Sequence, residues 1–145
     1  MGEPVFVFGS NLAGRHGKGA ALFARQHHGA EYGVGMGRTG NAYAIPTKDE
    51  HIRTLPLGII AAHAAHFLDY ARANPDLAFQ LTPIGCGLAG YSFGQIAPMF
   101  KDAPPNVKMP DEFVAALSRT PQAASQVLGR PTNSTPLPSE GGKTP

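Results

Sequence analysis

Two glycine-rich stretches contain most of the residues whose types and spacing could bind a ligand. The first loop, residues 9–21, reads Gly-Ser-Asn-Leu-Ala-Gly-Arg-His-Gly-Lys-Gly-Ala-Ala and follows a short apolar run. Glycines in it let the backbone approach a ligand closely, because no Cβ stands in the way. If a helix begins at its end, the free N–H groups there attract phosphate or sugar oxygens. This loop is therefore a candidate nucleotide site, the alternative being a tight turn with spare glycines.

The second loop, residues 82–91, reads Thr-Pro-Ile-Gly-Cys-Gly-Leu-Ala-Gly-Tyr and also follows an apolar run. Two glycine-rich turns after parallel strands can close on one ligand from opposite sides, so the pair is more specific than either loop alone. Neither loop is a Rossmann fingerprint, since no Gly-x-Gly-x-x-Gly follows the first apolar run. Nor is the first loop a P-loop, because Lys18 is followed by Gly19 and not by Ser or Thr.

Two other reactive side chains have an ordinary interpretation beside the functional one. Lys48 precedes two acidic residues and could be a solvated loop lysine. Cys86 has no partner nearby in the sequence, and a free cysteine is usually a small buried hydrophobe. As the only cysteine, it excludes an intramolecular disulfide and a cysteine-based zinc site.

The histidines give no metal site. His63 and His66 stand three residues apart, but a metal would need further ligands that the sequence does not supply. We expect no metal and no cofactor. Arg15 and His16, inside the first loop, are better candidates for contacting a ligand phosphate.

Alternating strand and helix patterns must position these residues. We predict strands over 4–8, 42–46, 77–82 and 106–109, and helices over 20–28, 57–73 and 92–101. Pro46 is expected to end the second strand, and residues 29–40, with five glycines, form a long loop or irregular hairpin. Strands separated by helices indicate an α/β fold with a mostly parallel sheet. Ligands of such folds bind at the carboxyl ends of the strands, where both loops would lie.

Three motifs resemble those of the macro domain family and follow the same order along the chain. Asn11-x-x-Gly14-x-x-Gly17-Lys18-Gly19-x-Ala21 is similar to its first ligand loop, and Ile84-Gly-Cys-Gly-Leu88 to its second. Tyr43-Ala-Ile-Pro-Thr-Lys48 resembles the strand-end motif that carries a catalytic lysine. The most similar branch contains antitoxins that strip ADP-ribose from DNA and terminal ADP-ribose protein glycohydrolases. Covering about residues 5–100, the resemblance implies a three-layer α/β/α sandwich with a mixed, mostly parallel sheet.

The resemblance also implies residue roles. Lys48 would be catalytic, attacking or stabilising the anomeric carbon of ADP-ribose while a glycosidic bond breaks. Asn11 would sit by the distal ribose, residues 17–20 would line that sugar, and residues 85–91 would wrap the diphosphate. The implied ligand-binding residues are Gly9, Ser10, Asn11, Gly17, Lys18, Gly19, Ala20, Gly85, Cys86, Gly87, Leu88, Ala89, Gly90 and Tyr91.

One position departs from part of the family. Ala89 stands where the protein glycohydrolases carry an aspartate, whereas the DNA-directed antitoxins have a small residue there. Phe93 corresponds to the aromatic ring expected after the second loop.

Composition and charge limit the remaining possibilities. Residues 118–145 contain five prolines and many small polar residues, which is typical of a disordered tail, so the macro-like domain is expected to span 1–117. The first 117 residues carry nine basic and nine acidic side chains, which argues against an extended nucleic-acid surface. No apolar run could cross a bilayer and the start lacks a secretory pattern, so we expect a cytoplasmic protein without membrane contact. The sequence does not indicate an oligomeric state.

Two functions therefore compete. The first is an ADP-ribosyl hydrolase that removes ADP-ribose from DNA or protein. The alternative is a non-catalytic reader or sponge of ADP-ribose-derived signal nucleotides. Lys48 favours the enzyme, whereas Ala89 and the small size favour the sponge. In either case the partner is ADP-ribose or an ADP-ribosylated macromolecule.

Overall fold

The computed structural model describes residues 3–87 and 89–119. Within them the chain forms a mixed α/β fold with a five-stranded, mostly parallel sheet and four α-helices. The elements are β1 Val5–Asn11, α1 Gly19–His27, β2 Gly37–Thr39, β3 Ala42–Lys48, α2 Leu57–Ala73, β4 Phe79–Leu81, α3 Phe93–Ile96, a 3₁₀ turn Ala97–Phe100, β5 Val107–Lys108 and α4 Asp111–Arg119. None of the helices in this described part is both long and apolar enough to traverse a membrane.

The strand order of the sheet is β2-β3-β1-β4-β5. β2 pairs antiparallel with β3, and all other neighbours are parallel. The carboxyl ends of β1, β3 and β4 consequently meet at one edge of the sheet. After β1 the chain runs towards β3, which lies on one side of β1 in the sheet. After β4 it runs towards β5, which lies on the opposite side. Such a divergence between neighbouring loops opens a crevice in open α/β sheets.

β1 is central because its first four residues are apolar and all buried, as expected for a strand covered on both faces. Phe6 and Phe8 form a buried cluster with Ala21 and Ala24 of α1. On β3, Tyr43 contacts Phe67 of α2, with ring centroids 5.0 Å apart. The sheet core is therefore built from β1 and β3 together with the apolar stripes of two helices.

Several predicted elements are confirmed, among them α2 over 57–73, and β2 shows that residues 29–40 include one strand of a hairpin. The expectation that Pro46 ends its strand is wrong, since β3 continues to Lys48. β2 pairs only with the first three residues of β3, so Pro46 lies where β3 has one partner strand and the missing N–H is tolerated. The helix predicted over 92–101 is split into α3 and the 3₁₀ turn, which contains Pro98.

The described chain divides into two units after Val114. Residues 3–114 hold the sheet and the site discussed below. Residues 115–119 form the last part of α4, which continues two residues past the predicted domain boundary at 117. Residues 120–145 of the predicted tail lie outside the described residues, as does Leu88.

Candidate functional site

The ends of β1, β3 and β4 and the loops that follow them line one cleft of about 700 Å³, a volume within the range of small-molecule and cofactor sites. The first and second loops form part of the same cleft, as the sequence predicts. The predicted site residues that line it are Gly9, Ser10, Asn11, Gly17, Lys18, Gly19, Ala20, Lys48, Gly85, Cys86, Gly87 and Ala89.

Gly90 and Tyr91, also predicted to bind ligand, do not belong to the lining. The Tyr91 hydroxyl donates a hydrogen bond of 2.7 Å to the Leu55 carbonyl, and its N–H donates one of 2.8 Å to the Gly85 carbonyl. Thr54 Oγ1 donates to the Ala89 carbonyl at 3.0 Å. The hydrogen bonds that involve Leu55 and Thr54 tie the second loop to the chain after β3, and the bond to Gly85 closes the loop on itself. Tyr91 therefore shapes the loop that borders the cleft.

The first loop is braced by its own asparagine. Asn11 Oδ1 accepts a hydrogen bond from the Arg15 N–H, and Asn11 Nδ2 donates to the Arg15 carbonyl, both at 2.9 Å. The Gly14 N–H donates to the Asn11 carbonyl, also at 2.9 Å. Asn11 lines the cleft, but its side chain fixes the loop so that Arg15 lies at the cleft wall.

Two glycines are required where residues 31–36 pack behind the first loop. Gly14 has φ +72°, and a Cβ there would lie 2.2 Å from the Gly33 carbonyl carbon. A Cβ on Gly35 would lie 2.0 Å from the Asn11 carbonyl oxygen. Ser10 Oγ donates to the Gly35 carbonyl, and the Gly33 N–H donates to the Gly14 carbonyl at 2.8 Å. Close backbone packing explains these glycines without a ligand, and it preforms the first loop.

Gly17 and Gly87 present the opposite case. Neither has a positive φ, and a Cβ added to either would meet no described residue within 4 Å, the two chain neighbours aside. Neither backbone conformation nor packing requires glycine at these positions, yet both line the cleft, one in each loop. What glycine provides there is uncovered backbone that a ligand can approach.

A β-bulge places Lys48. In the β1–β3 ladder Ser10 pairs with Pro46 and Asn11 with Lys48, so Thr47 is an extra residue. Consecutive side chains of a regular strand point to opposite faces, whereas a bulge re-aims them. Both Thr47 and Lys48 consequently line the cleft. Thr47 Oγ1 donates to the Ser10 carbonyl at 3.3 Å, and the Leu12 N–H donates to the Lys48 carbonyl at 3.0 Å.

The cleft is cationic. Among the described residues, its lining includes Arg15, Lys18 and Lys48 and no Asp or Glu. Within the described part of the chain the one ion pair joins Arg72 and Asp69, neither of which lines the cleft, so none of the three cleft cations is paired with a described carboxylate.

The start of α1 adds to this positive potential. The helix begins at the cleft with Lys18 as N-cap, no side-chain cap hydrogen bond and no acidic residue in its first turn. Its first residues, Gly19 to Ala21, line the cleft. A helix N-terminus carries partial positive charge on its free N–H groups, so helix and side chains together favour an anion.

Cys86 lines the cleft as a neutral thiol. Burial raises its pKa to about 11, and the Glu112 carboxylate acts in the same direction. The thiol donates a weak hydrogen bond of 3.4 Å to the Ile84 carbonyl. Since the thiolate is the nucleophilic form, Cys86 contributes surface to the cleft and no nucleophile at neutral pH.

His16, a candidate for contacting a ligand phosphate, lies outside the cleft lining. Its side chain is fully buried, and it meets the ring of Phe8 edge-on with centroids 5.4 Å apart. Neither ring nitrogen has a well-formed hydrogen bond to a described residue. Burial lowers the pKa of His16, Arg25 acts in the same direction, and the Val34 backbone opposes them only in part. The neighbouring Arg15, in contrast, lines the cleft as predicted.

Sequence reasoning missed Thr47 and Ile52 as lining residues, together with Thr82 and Pro83 at the start of the second loop. The position of Thr47 and Thr82 at strand ends could have indicated them. Ile52 gives no local signal, because only the fold of residues 49–53 brings it to the cleft. No group of three His, Cys, Asp or Glu residues in the described ranges could hold a metal ion.

Comparisons of the chain with protein-family models, with curated proteins and with solved structures find no match. The functional argument therefore depends on the cleft itself. It combines unpaired cations, a helix N-terminus, open glycine backbone and apolar walls at Ile52, Ile84 and Phe93. This arrangement suits an anion that also carries sugar or base rings.

Proposed function

We propose that this chain is a macro-domain-like protein that binds ADP-ribose in the cleft and removes it from DNA or protein. The observation that carries the proposal is the composition of the cleft. Its described lining contains three cations without a described carboxylate partner and two glycines that neither the backbone conformation nor described packing requires. A diphosphate flanked by two riboses satisfies the charge, the open backbone and the apolar walls together.

The fold proposed here is a three-layer α/β/α sandwich. Phe6 and Phe8 cluster with α1, while Tyr43 contacts α2. Tyr43 pairs with Val7, the residue between those two phenylalanines. Since alternate residues of a strand point to opposite faces, α1 and α2 cover different sides of the sheet. Helices on both sides of a mixed sheet are what the motif resemblance implies.

In the proposed complex, residues 17–20 at the start of α1 line the distal ribose, and the second loop wraps the neighbouring diphosphate. Arg15 and Lys18 neutralise its charge, and the backbone of Gly87 approaches it closely. The distal ribose lies near the end of β3, where the bulge brings Lys48 to the cleft. The preformed first loop keeps the ordering cost of binding low.

The proposed reaction uses the Lys48 amine as nucleophile. Nζ first gives up a proton to water and then attacks the anomeric carbon of the distal ribose, and the bond from that carbon to the base or protein side chain breaks. The leaving group takes the proton that the attacking nitrogen releases. Water then adds to the anomeric carbon, which frees ADP-ribose and restores the Lys48 amine. With no Asp or Glu in the described lining to activate water, an amine nucleophile fits this cleft better than carboxylate base catalysis.

The same observation also favours the second candidate, a non-catalytic reader or sponge. Without a described carboxylate in the lining, Lys48 has no acid–base partner there. In that case Lys48 only adds positive charge, and the cleft sequesters ADP-ribose or a signal nucleotide derived from it.

The deciding experiment compares the parent with Lys48→Ala. Both are incubated with ADP-ribosylated DNA, ADP-ribosylated protein and free ADP-ribose, and both retention and release of ADP-ribose are measured. A hydrolase releases ADP-ribose in the parent, while Lys48→Ala binds with similar affinity and releases none, because the lysine acts mainly in the transition state.

A sponge gives a different pattern: the parent binds and releases nothing, and Lys48→Ala binds more weakly. Lys101→Ala is the matched control, since Lys101 is exposed and does not line the cleft. Both functions are contradicted if the parent binds none of the three compounds and releases no ADP-ribose from the modified DNA or protein.

A further inference from the structure

Ile52 has an unusual backbone for its residue type. Its φ is +64°, and it is the one non-glycine residue with positive φ in the described ranges. In this left-handed region a Cβ crowds the backbone, and a β-branched side chain is a genuine outlier there. Glycine or asparagine would adopt the same conformation at lower cost. The identity of the side chain at position 52 is therefore not explained by the turn.

The turn that imposes this conformation, residues 49–53, is held rigidly. The Ile52 N–H donates to the Asp49 carbonyl at 3.1 Å, and the Asp49 N–H donates to the Arg53 carbonyl at 2.8 Å. The Asp49 carboxylate accepts from the N–H groups of His51 and Arg53 at 2.8 and 3.0 Å. The Arg53 hydrogen bond is the main reason that the pKa of Asp49 lies below its usual value.

Residues on both sides of the turn are also anchored. Lys48 and Thr54 form an antiparallel bridge, and the Leu55 N–H donates to the Thr47 carbonyl at 2.9 Å. Since Lys48 immediately precedes the turn, Ile52 is held in a fixed position close to it along the chain.

The side chain of Ile52 faces the cleft without being buried by the protein. It lines the cleft, and the residue remains 39% exposed. An apolar side chain in this position is only partly covered by the protein and keeps a strained backbone. Such outliers cluster at ligand clamps and active sites, where a bound molecule completes the contact.

We propose that Ile52 is a specificity-determining residue that packs against the apolar face of the distal ribose and the group attached to it. The inference rests on the proposed function, because that function puts the distal ribose beside Lys48. The role proposed for Ile52 adds a source of selectivity between two nucleotides. Ile52 distinguishes ADP-ribose from ADP because ADP lacks the distal ribose. In the proposed function, Arg15, Lys18 and the backbone of Gly87 act on the diphosphate that both ligands share.

The test is calorimetric titration of ADP-ribose and of ADP into the parent, Ile52→Gly and Ile52→Leu, with thermal unfolding of each. Ile52→Gly is expected to unfold at the same or a higher temperature, because glycine accepts positive φ. It should bind ADP-ribose about tenfold more weakly, the effect of losing a partly buried aliphatic contact, and ADP equally well. Ile52→Leu keeps the apolar surface and most of the selectivity. Ile52→Asn, which also tolerates this backbone, repeats the glycine result with a second side chain.

The outcomes separate this inference from the function on which it rests. If Ile52→Gly and Ile52→Asn bind ADP-ribose as tightly as the parent, or lose ADP and ADP-ribose equally, the role of Ile52 is overturned while the proposed function remains. If the parent binds neither nucleotide, the proposed function fails, and this inference fails with it.

Discussion

Replacing Gly87 by valine tests whether the second loop contacts the ligand. Apart from its two chain neighbours, a Cβ at Gly87 meets no atom of the described residues within 4 Å, and the residue does not have a positive φ. The empty protein should therefore accept valine without strain. We expect the free energy of unfolding to stay within about 1 kcal/mol of the parent, the usual range for changes away from packed structure.

The effect on binding should be much larger. Gly87 lines the cleft, so valine would add bulk at the cleft wall, where the proposed diphosphate lies. If the diphosphate accepts a backbone hydrogen bond here, its loss costs about 1.5–3 kcal/mol, typical of hydrogen bonds to charged groups. That corresponds to a roughly ten- to hundredfold weaker Kd for ADP-ribose.

Isothermal titration with ADP-ribose and chemical denaturation of the same samples provide both numbers. Gly58→Ala is the matched control, because Gly58 also meets nothing within 4 Å but lies in α2 outside the cleft lining. It should raise stability by up to about 1 kcal/mol and leave Kd unchanged. A folded Gly87→Val protein that binds ADP-ribose with parental affinity would remove the second loop from the binding site.

Two further predictions concern stability. Gly14→Ala should lower the free energy of unfolding by about 2–4 kcal/mol, because the added Cβ clashes with the backbone and the residue has a positive φ. A denaturation midpoint equal to that of the parent would contradict this prediction. Because the pKa of buried His16 is lowered in the folded protein, this histidine becomes protonated at a higher pH in the unfolded chain than in the folded one. The free energy of unfolding should therefore fall as the pH drops below about 6.5. His16→Leu should reduce the loss of stability between about pH 7 and 5, measured by urea titration. Part of that loss should remain in the variant, because the lowered pKa of His63 acts in the same direction.

The order of elements could be read from the sequence because it depends on local patterns. The helical spacing of apolar residues predicts α2 over the observed range, and the apolar run of β1 predicts a buried strand. The helix α4 was not predicted, although Pro110 followed by Asp111 and Glu112 is typical of a helix start. Its nine residues gave too short a periodic pattern to stand out from the polar sequence after it.

Much of the site could not be predicted, because it depends on distant parts of the chain. Composition identifies both glycine-rich loops, but it cannot distinguish Gly14, which packs against Gly33, from Gly17, where a Cβ would meet no described residue beyond its chain neighbours. Nor does it reveal the bulge at Thr47, since the register between β1 and β3 is a property of the pair. His16 seemed available for a ligand because loop residues are usually exposed, whereas packing against Phe8 buries it.

The lengths of the two outer strands determine how a macromolecule could engage this sheet. β2 has three residues and β5 has two, whereas central β1 has seven. An extended peptide or a second sheet binds an edge through a row of free backbone N–H and C=O groups. Edges this short offer too few such groups for strand addition. The macromolecular substrates of the proposed function would then be recognised through side chains around the mouth of the cleft, and specificity for them could change by surface substitution while the hydrogen-bonded frame stays the same.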